Sequence, residues 1–186
     1  VSIDQNLGIV GNTNIGLESA RGEYVSFMDH DDVLHQSALL MVAQVIKEQN
    51  PDLIYTDEDK LTEDGKWRHQ PHFKPDWSPH LLENVNYITH FVTVRAVLAK
   101  ELGIRKGFDG AQDYDFLLRL TDIKKINVCH IPDVLYHWRE ANGSTAQDFS
   151  VKPQVISAGV RALKDHFDRV GKPAGEVIGL KDRPGF

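Results

Sequence analysis

Three carboxylates and a histidine stand together in DHDD, residues 29–32, directly behind the apolar run YVSFM, residues 24–28. Asp29 and Asp31 are two apart, so on an extended backbone they point the same way and can share one ligand. Hard oxygen donors suit Mg²⁺ or Mn²⁺, above all where phosphate oxygens complete the shell. A solvated turn with Asp32 as its cap would use the same residues. A second acidic site lies in GAQDYDFLLRL. Asp113 falls just before a predicted helix, where the helix dipole favours an ionised carboxylate able to accept a proton; an ordinary N-cap has the same appearance. Asp115 and Arg119 have the i,i+4 spacing of an ion pair. His137, in VLYHW, sits at a strand end among large apolar residues, a setting open both to metal binding and to simple packing. DEDK, residues 57–60, could group with His69, His72, His80 and His90. Those histidines lack the short paired spacing of a zinc site, and Cys129 is the sole cysteine, so zinc is set aside.

The elements that must position these residues follow from pattern. YVSFM reads as a buried strand with DHDD at its end. NTNIGLESARG suggests a short helix with Asn12 or Asn14 near its cap and Gly22 as its stop. In SALLMVAQVIKEQN, Leu39, Val42, Ala43 and Ile46 share a helical face, and Asn50-Pro51 ends the helix. LIYT, residues 53–56, is the next strand, with DEDK at its end. Strand, helix, strand in this order predicts a parallel βαβ unit. Residues 61–86 form a long ordered excursion rich in Pro, His and Trp. HFVTVR is a strand, AVLAKEL a short helix ended by Gly103, and DYDFLLRLTD a helix. INVCHI and VLYHW are two strands around Pro132. Ile156, Val160, Leu163, Phe167 and Val170 mark a closing amphipathic helix over about 152–171, with Pro153 in its first turn. No repeat or linker divides the chain, which reads as one domain over 1–186.

Composition excludes several classes. At 186 residues, with 41% hydrophobic and 26% charged, the chain suits a soluble globular domain with a real core. No apolar run reaches the roughly 18 residues of a membrane span, and no leader pattern opens the chain. A net charge of −6 argues against a nucleic-acid surface, and means that a phosphate-bearing ligand would need a cation between it and the protein. The single cysteine suits a reducing compartment.

Taken together, NLGIVGNTNIGLESARGEYVSFMDHDDVL, QDYDFLLRL and VLYHWR…GST resemble the family 2 glycosyltransferases, over about residues 1–147. YTDEDK and FKPDWSP further resemble the bacterial branch that builds O-antigen, capsule and related surface polysaccharides. The resemblance implies an α/β GT-A fold: a mixed, mostly parallel sheet flanked by helices, here lacking the first strand-helix-strand that holds the nucleobase. A chain without that segment would bind its donor weakly and be inactive alone.

The resemblance also implies roles. Asp29 and Asp31 fall on the D-x-D pair that contacts the donor ribose and diphosphate through Mn²⁺ or Mg²⁺, with Asp31 as direct ligand. Asp113 falls on the catalytic base, and His137 on a further metal or diphosphate contact. Asn14 and Gly16 match a loop near the nucleotide. The implied partners are a nucleotide-diphosphate sugar and a glycan or lipid-linked acceptor, in a cytoplasmic protein associated with the inner membrane face through that acceptor. Asp113 would deprotonate the acceptor hydroxyl as it attacks, and one displacement would invert the anomeric centre. Gln112 stands where the family has Glu, so that neighbour offers no charge. A non-catalytic nucleotide- or glycan-binding module and a metal-dependent phosphohydrolase are the competing readings.

Overall fold

The computed structural model describes residues 2, 4–140, 153–173 and 175–180. In chain order the elements are α1 (Gly8–Ser19), β1 (Tyr24–Phe27), β2 (Val33–Leu34), α2 (Ala38–Gln49), β3 (Leu53–Leu61) and β4 (Arg68–His72). There follow α3 (Pro79–Leu82), β5 (Val92–Arg95), α4 (Ala96–Leu102), α5 (Gln112–Thr121), β6 (Val128–Arg139) and α6 (Pro153–Val170). The strands form one sheet in the order β1-β5-β3-β6-β2, with β4 paired to β3.

The sheet is mixed, but its parallel share is smaller than the sequence suggested. Among the described strands only β3 and β6 pair in parallel; the β1·β5, β3·β5, β2·β6 and β3·β4 pairs are antiparallel. The cause is β5. It inserts between β1 and β3 and runs against both, so these two share a direction, as a βαβ unit requires, without touching.

β3 explains how the sheet is covered. Leu53 and Tyr55 join a core built with α1, α4, α5 and α6, while Ile54 joins a second core under α2 with Ala38, Val42, Cys129 and Ile131. This alternation is the two-residue period of a strand buried on both faces. On α2 the buried residues are Ala38 and Val42, and Leu39 is exposed. The helix is thus turned from the expected face, because the small Ala38 makes the close approach to the sheet.

Three other boundaries move. α1 begins at Gly8, which leaves Asn14 in mid-helix. DEDK lies inside β3 rather than beyond it, because β4 and β6 continue the ladder on both sides through Leu61. The two strands expected around Pro132 are one. Ile131 pairs with Thr56 and Val134 with Asp57, so Pro132 and Asp133 form a bulge that spares the ladder a missing N–H. β1 is half-buried, not buried. The excursion of 61–86 holds β4 and α3. Helix α6 closes close to the expected span. No helix among the described residues is long and apolar enough to cross a membrane.

Candidate active site

The turn after β1 is built on Asp32. Its carboxylate is buried; one oxygen accepts from the Arg139 backbone N–H at 2.7 Å and the other from the Tyr136 hydroxyl. Arg139 Nε also donates to the Asp31 carbonyl at 2.7 Å, and the Asp29 N–H reaches the Tyr136 hydroxyl at 3.3 Å. Asp32 therefore ties the turn to β6, while Asp29 stays exposed and Asp31 half-exposed. Burial raises the Asp32 pKa above 3.8, against the lowering effect of Tyr136.

Two neighbouring carboxylates of β3 each orient a histidine. Glu58 accepts from His90 Nδ1 at 3.2 Å and from the buried Lys74 ammonium at 3.2 Å, with His72 at 3.5 Å. Asp59 holds His137 Nδ1 at 2.6 Å. Glu58 and Asp59 pair in register with Tyr136 and His137, so they lie on opposite faces of the sheet. On the Glu58 face His90 stacks on Tyr136 at 4.8 Å, and its Nε2 stands 4.0 Å from Asp29. On the Asp59 face the Nε2 of His137 stands 3.4 Å from an Arg68 N–H. Asp29, Asp32 and His90 each offer a ligand atom within 4.8 Å of the others.

The electrostatics of these groups differ. Burial alone would raise the Glu58 pKa, but the Lys74 charge and the hydrogen bonds from His72 and His90 hold it well below the usual range. Burial alone would lower His90, but the hydrogen bond to Glu58 and its charge raise it above 6.5. His90 is thereby shifted toward its protonated form, which carries an N–H toward Asp29. His137 donates from Nδ1 to Asp59 and accepts an Arg68 N–H at Nε2, the geometry of a neutral ring with an outward lone pair. Arg68, about half exposed, rests where a cation would meet that lone pair.

Asp113, in the first turn of α5, is half-buried, and its Oδ2 accepts from the Asn86 amide at 2.9 Å. Burial pushes its pKa above 3.8, the Tyr114 backbone N–H and His90 lower it, and Asp29 raises it further. Asp113 therefore lies within electrostatic reach of Asp29 and His90. It lines a groove of about 630 Å³ with Asn86, Tyr114 and the apolar face of α6, including Val160 and Phe167. Asp115 turns the other way: it is buried against Arg119 at 2.9 Å, as its spacing suggested, and against Arg105.

The predicted site residues thus sort unevenly. Asp29 and Asp113 share one neighbourhood, Asp31 lies on the turn beside Asp29, and His137 lies across β3 from His90. Asn14 is engaged elsewhere: its amide bridges the Ile104 carbonyl at 2.9 Å and N–H at 2.8 Å, fixing α1 to the end of α4. Gly16 lies on α1 with open space where a Cβ would stand. Residues 143–145 (GST) lie outside the described residues. His69, His72, His80 and His90 do not form one group, since they face Glu140, Glu58, Glu83 and Glu58 respectively. Sequence reasoning missed the Glu58–His90 and Asp59–His137 pairs and Asn86. DEDK was the visible signal for the pairs; nothing marked Asn86.

Comparison with known proteins gives this geometry a context. The Glycosyl transferase family 2 model matches residues 1–105. The O-antigen biosynthesis protein RfbC of Myxococcus xanthus is 44% identical over 165 residues, covering 87% of this chain but only 13% of its own length. The chain therefore spans a small part of that relative. The crystal structure of S. aureus TarS 1–349 in complex with UDP-GlcNAc matches with a TM-score of 0.61 and 19% identity, over 88% of this chain and 47% of that one. A mannosyltransferase from Pyrobaculum calidifontis in complex with GDP-Man and Mn²⁺ matches with a TM-score of 0.52 and 16% identity, over 95% of this chain and 47% of that one. At these identities the structural likeness bears on fold, which is that of the GT-A transferases. With its family model covering more than half of its residues, the chain belongs to glycosyl transferase family 2.

Proposed function

We propose that this domain transfers a sugar, with inversion, from a nucleotide-diphosphate donor to a hydroxyl of a glycan or lipid-linked acceptor in surface-polysaccharide synthesis. The acceptor would bring it to the inner face of the membrane. Family membership and the likeness to an O-antigen biosynthesis protein support the transferase class. One observation supports the reading: Asp113 stands half-buried in the wall of a groove of about 630 Å³, near enough to His90 and Asp29 for their charges to act on it. A base and a donor-facing acid would then act in one site.

In this reading Asp113 accepts the acceptor hydroxyl proton, worth about 10²–10⁴ in rate. Burial raises its pKa, which moves it toward the working pH. His90, backed by Glu58 and favoured in its protonated form, would offer an N–H beside Asp29 to the leaving diphosphate. Asp29 and Asp31 would hold the donor end, and Asp31 with His137 would hold a divalent cation. Asp59 holds His137 Nδ1 at 2.6 Å, the arrangement usual behind a metal-bound histidine, and would orient the ring for that role. The Asp29, Asp32 and His90 trio also offers ligand atoms within 4.8 Å of one another, but both Asp32 oxygens already accept hydrogen bonds. A bound cation would supply neutralisation of the charge growing on the diphosphate.

Asp113→Asn in the full-length protein is expected to cut transfer by about 10²–10⁴ while leaving donor binding intact. Equal loss of binding and transfer would make Asp113 structural. Undiminished transfer would remove it from catalysis.

A further inference from the structure

The residue that touches Asp113 was not marked by any pattern in the chain. Asn86 lies in the loop between α3 and β5, and its Nδ2 donates to Asp113 Oδ2 at 2.9 Å. Its other amide atom, Oδ1, is buried and has no hydrogen-bond partner. An orphaned buried carbonyl is costly, so such a group requires a reason. Turning the amide over would set that oxygen against the Asp113 carboxylate, a contact of two acceptors whenever Asp113 is ionised. The amide is thus oriented by Asp113 alone. The loop around it is fixed independently: the Asn86 carbonyl accepts from Thr89 Oγ1 at 2.8 Å, and the Tyr87 hydroxyl accepts from the Ser78 N–H at 2.9 Å. The Tyr114 hydroxyl, one residue beyond Asp113, donates to the Leu82 carbonyl, which locks the start of α5 to the same loop.

The structure assigns to Asn86 the part of a positioning residue, which holds the Asp113 carboxylate at the groove wall and favours its charged form. This rests on the reading of Asp113 as the base. Burial in the groove disfavours the charge, and the backbone N–H groups of Asp113 and Tyr114 oppose that trend. The Asn86 N–H adds a side-chain donor on Oδ2, and hydrogen bonds to the charged form stabilise it. The other charged groups around Asp113 are His90 before β5 and Asp29 after β1, with Glu83 after α3 and Glu176 beyond α6 along the groove.

The test is a ¹³C-carboxyl NMR titration of Asp113 in this chain, for the native protein, Asn86→Ala and the isosteric Asn86→Asp. Loss of the N–H is expected to raise the Asp113 midpoint by about one to two pH units in Asn86→Ala. Asn86→Asp is expected to raise it at least as far, since two adjacent carboxylates resist ionising together. In the full-length protein the acid limb of the kcat profile should move up with the NMR midpoint, with KM for the donor unchanged. Asn86→Asp preserves shape and so serves if Asn86→Ala does not fold. An Asp113 midpoint unmoved in a folded variant would overturn the assignment. A midpoint that moves while the kcat profile stays fixed would leave Asn86 in place but overturn the reading of Asp113 as base.

Discussion

Glu58 and Asp59 are sequence neighbours on β3, and each holds a histidine through Nδ1, yet the two units have opposite characters. Glu58 also carries the buried Lys74 and His72, so His90 joins a dense network and its pKa is raised. Asp59 has His137 at 2.6 Å and only the more distant Arg68 at 3.8 Å. The nitrogen left outward is an N–H toward Asp29 on one face and a lone pair toward Arg68 on the other. One residue of strand register therefore separates an imidazole that faces a carboxylate from one that faces a guanidinium. What decides the difference is the number of charges behind each ring, not the ring or its carboxylate.

The comparison breaks most visibly in metal affinity. His137→Ala and Asp31→Ala should each weaken Mn²⁺ binding in the presence of a nucleoside diphosphate by about 100-fold, while His90→Ala leaves metal affinity unchanged. Isothermal titration of the full-length variants measures this; equal losses for His90 and His137 would erase the distinction. Asp59→Asn should cost about tenfold by leaving the His137 ring unsupported, the lower end of the usual outer-shell effect.

Stability should respond on the Glu58 face. Glu58, held below its ordinary 4.5, contributes stability that is present above that value and lost as pH falls through its lower native pKa. His90, raised above 6.5, contributes stability that is present below that value and lost as pH rises through its native pKa. The pair thus favours the fold most between these limits. Thermal unfolding across pH should show both declines, and His90→Ala should remove the alkaline one; an unchanged alkaline limb would mean that His90 is not the group responsible.

The smallest effect expected is at Arg68. Its exposed contact with Asp59 and His137 is worth at most about 1 kcal/mol, so Arg68→Ala should tighten metal binding by up to about fivefold by removing a competing cation. Weaker binding in that variant would make Arg68 a ligand-binding residue in its own right.

Much of this was legible in the chain. Alternation and helical spacing gave most of the elements, and DHDD behind an apolar run marked the turn that follows β1. The assignment of Asp32 to bracing that turn required only its position after the two-apart acids. What the sequence could not carry was lateral order. That β5 returns between β1 and β3 is a long-range pairing with no local signal, and so is the continuation of β3 through DEDK. The partners of His90 and His137 depend on that register, where a slip of one residue would exchange the two faces. Asn14 shows the same limit: the family resemblance implied a place near the nucleotide, while a backbone 90 residues away uses its amide. Asn86 shows it in reverse, as a residue without local distinction that tertiary packing sets against Asp113.

The most direct test is Mn²⁺ titration, followed by electron paramagnetic resonance with and without a nucleoside diphosphate, of the full-length protein and its His90→Ala and His137→Ala variants. The proposed seat predicts coupled metal and nucleotide binding in the native protein and in His90→Ala, and its loss in His137→Ala. Coupled binding kept in His137→Ala and lost in His90→Ala would put the cation among Asp29, Asp32 and His90 and contradict the account.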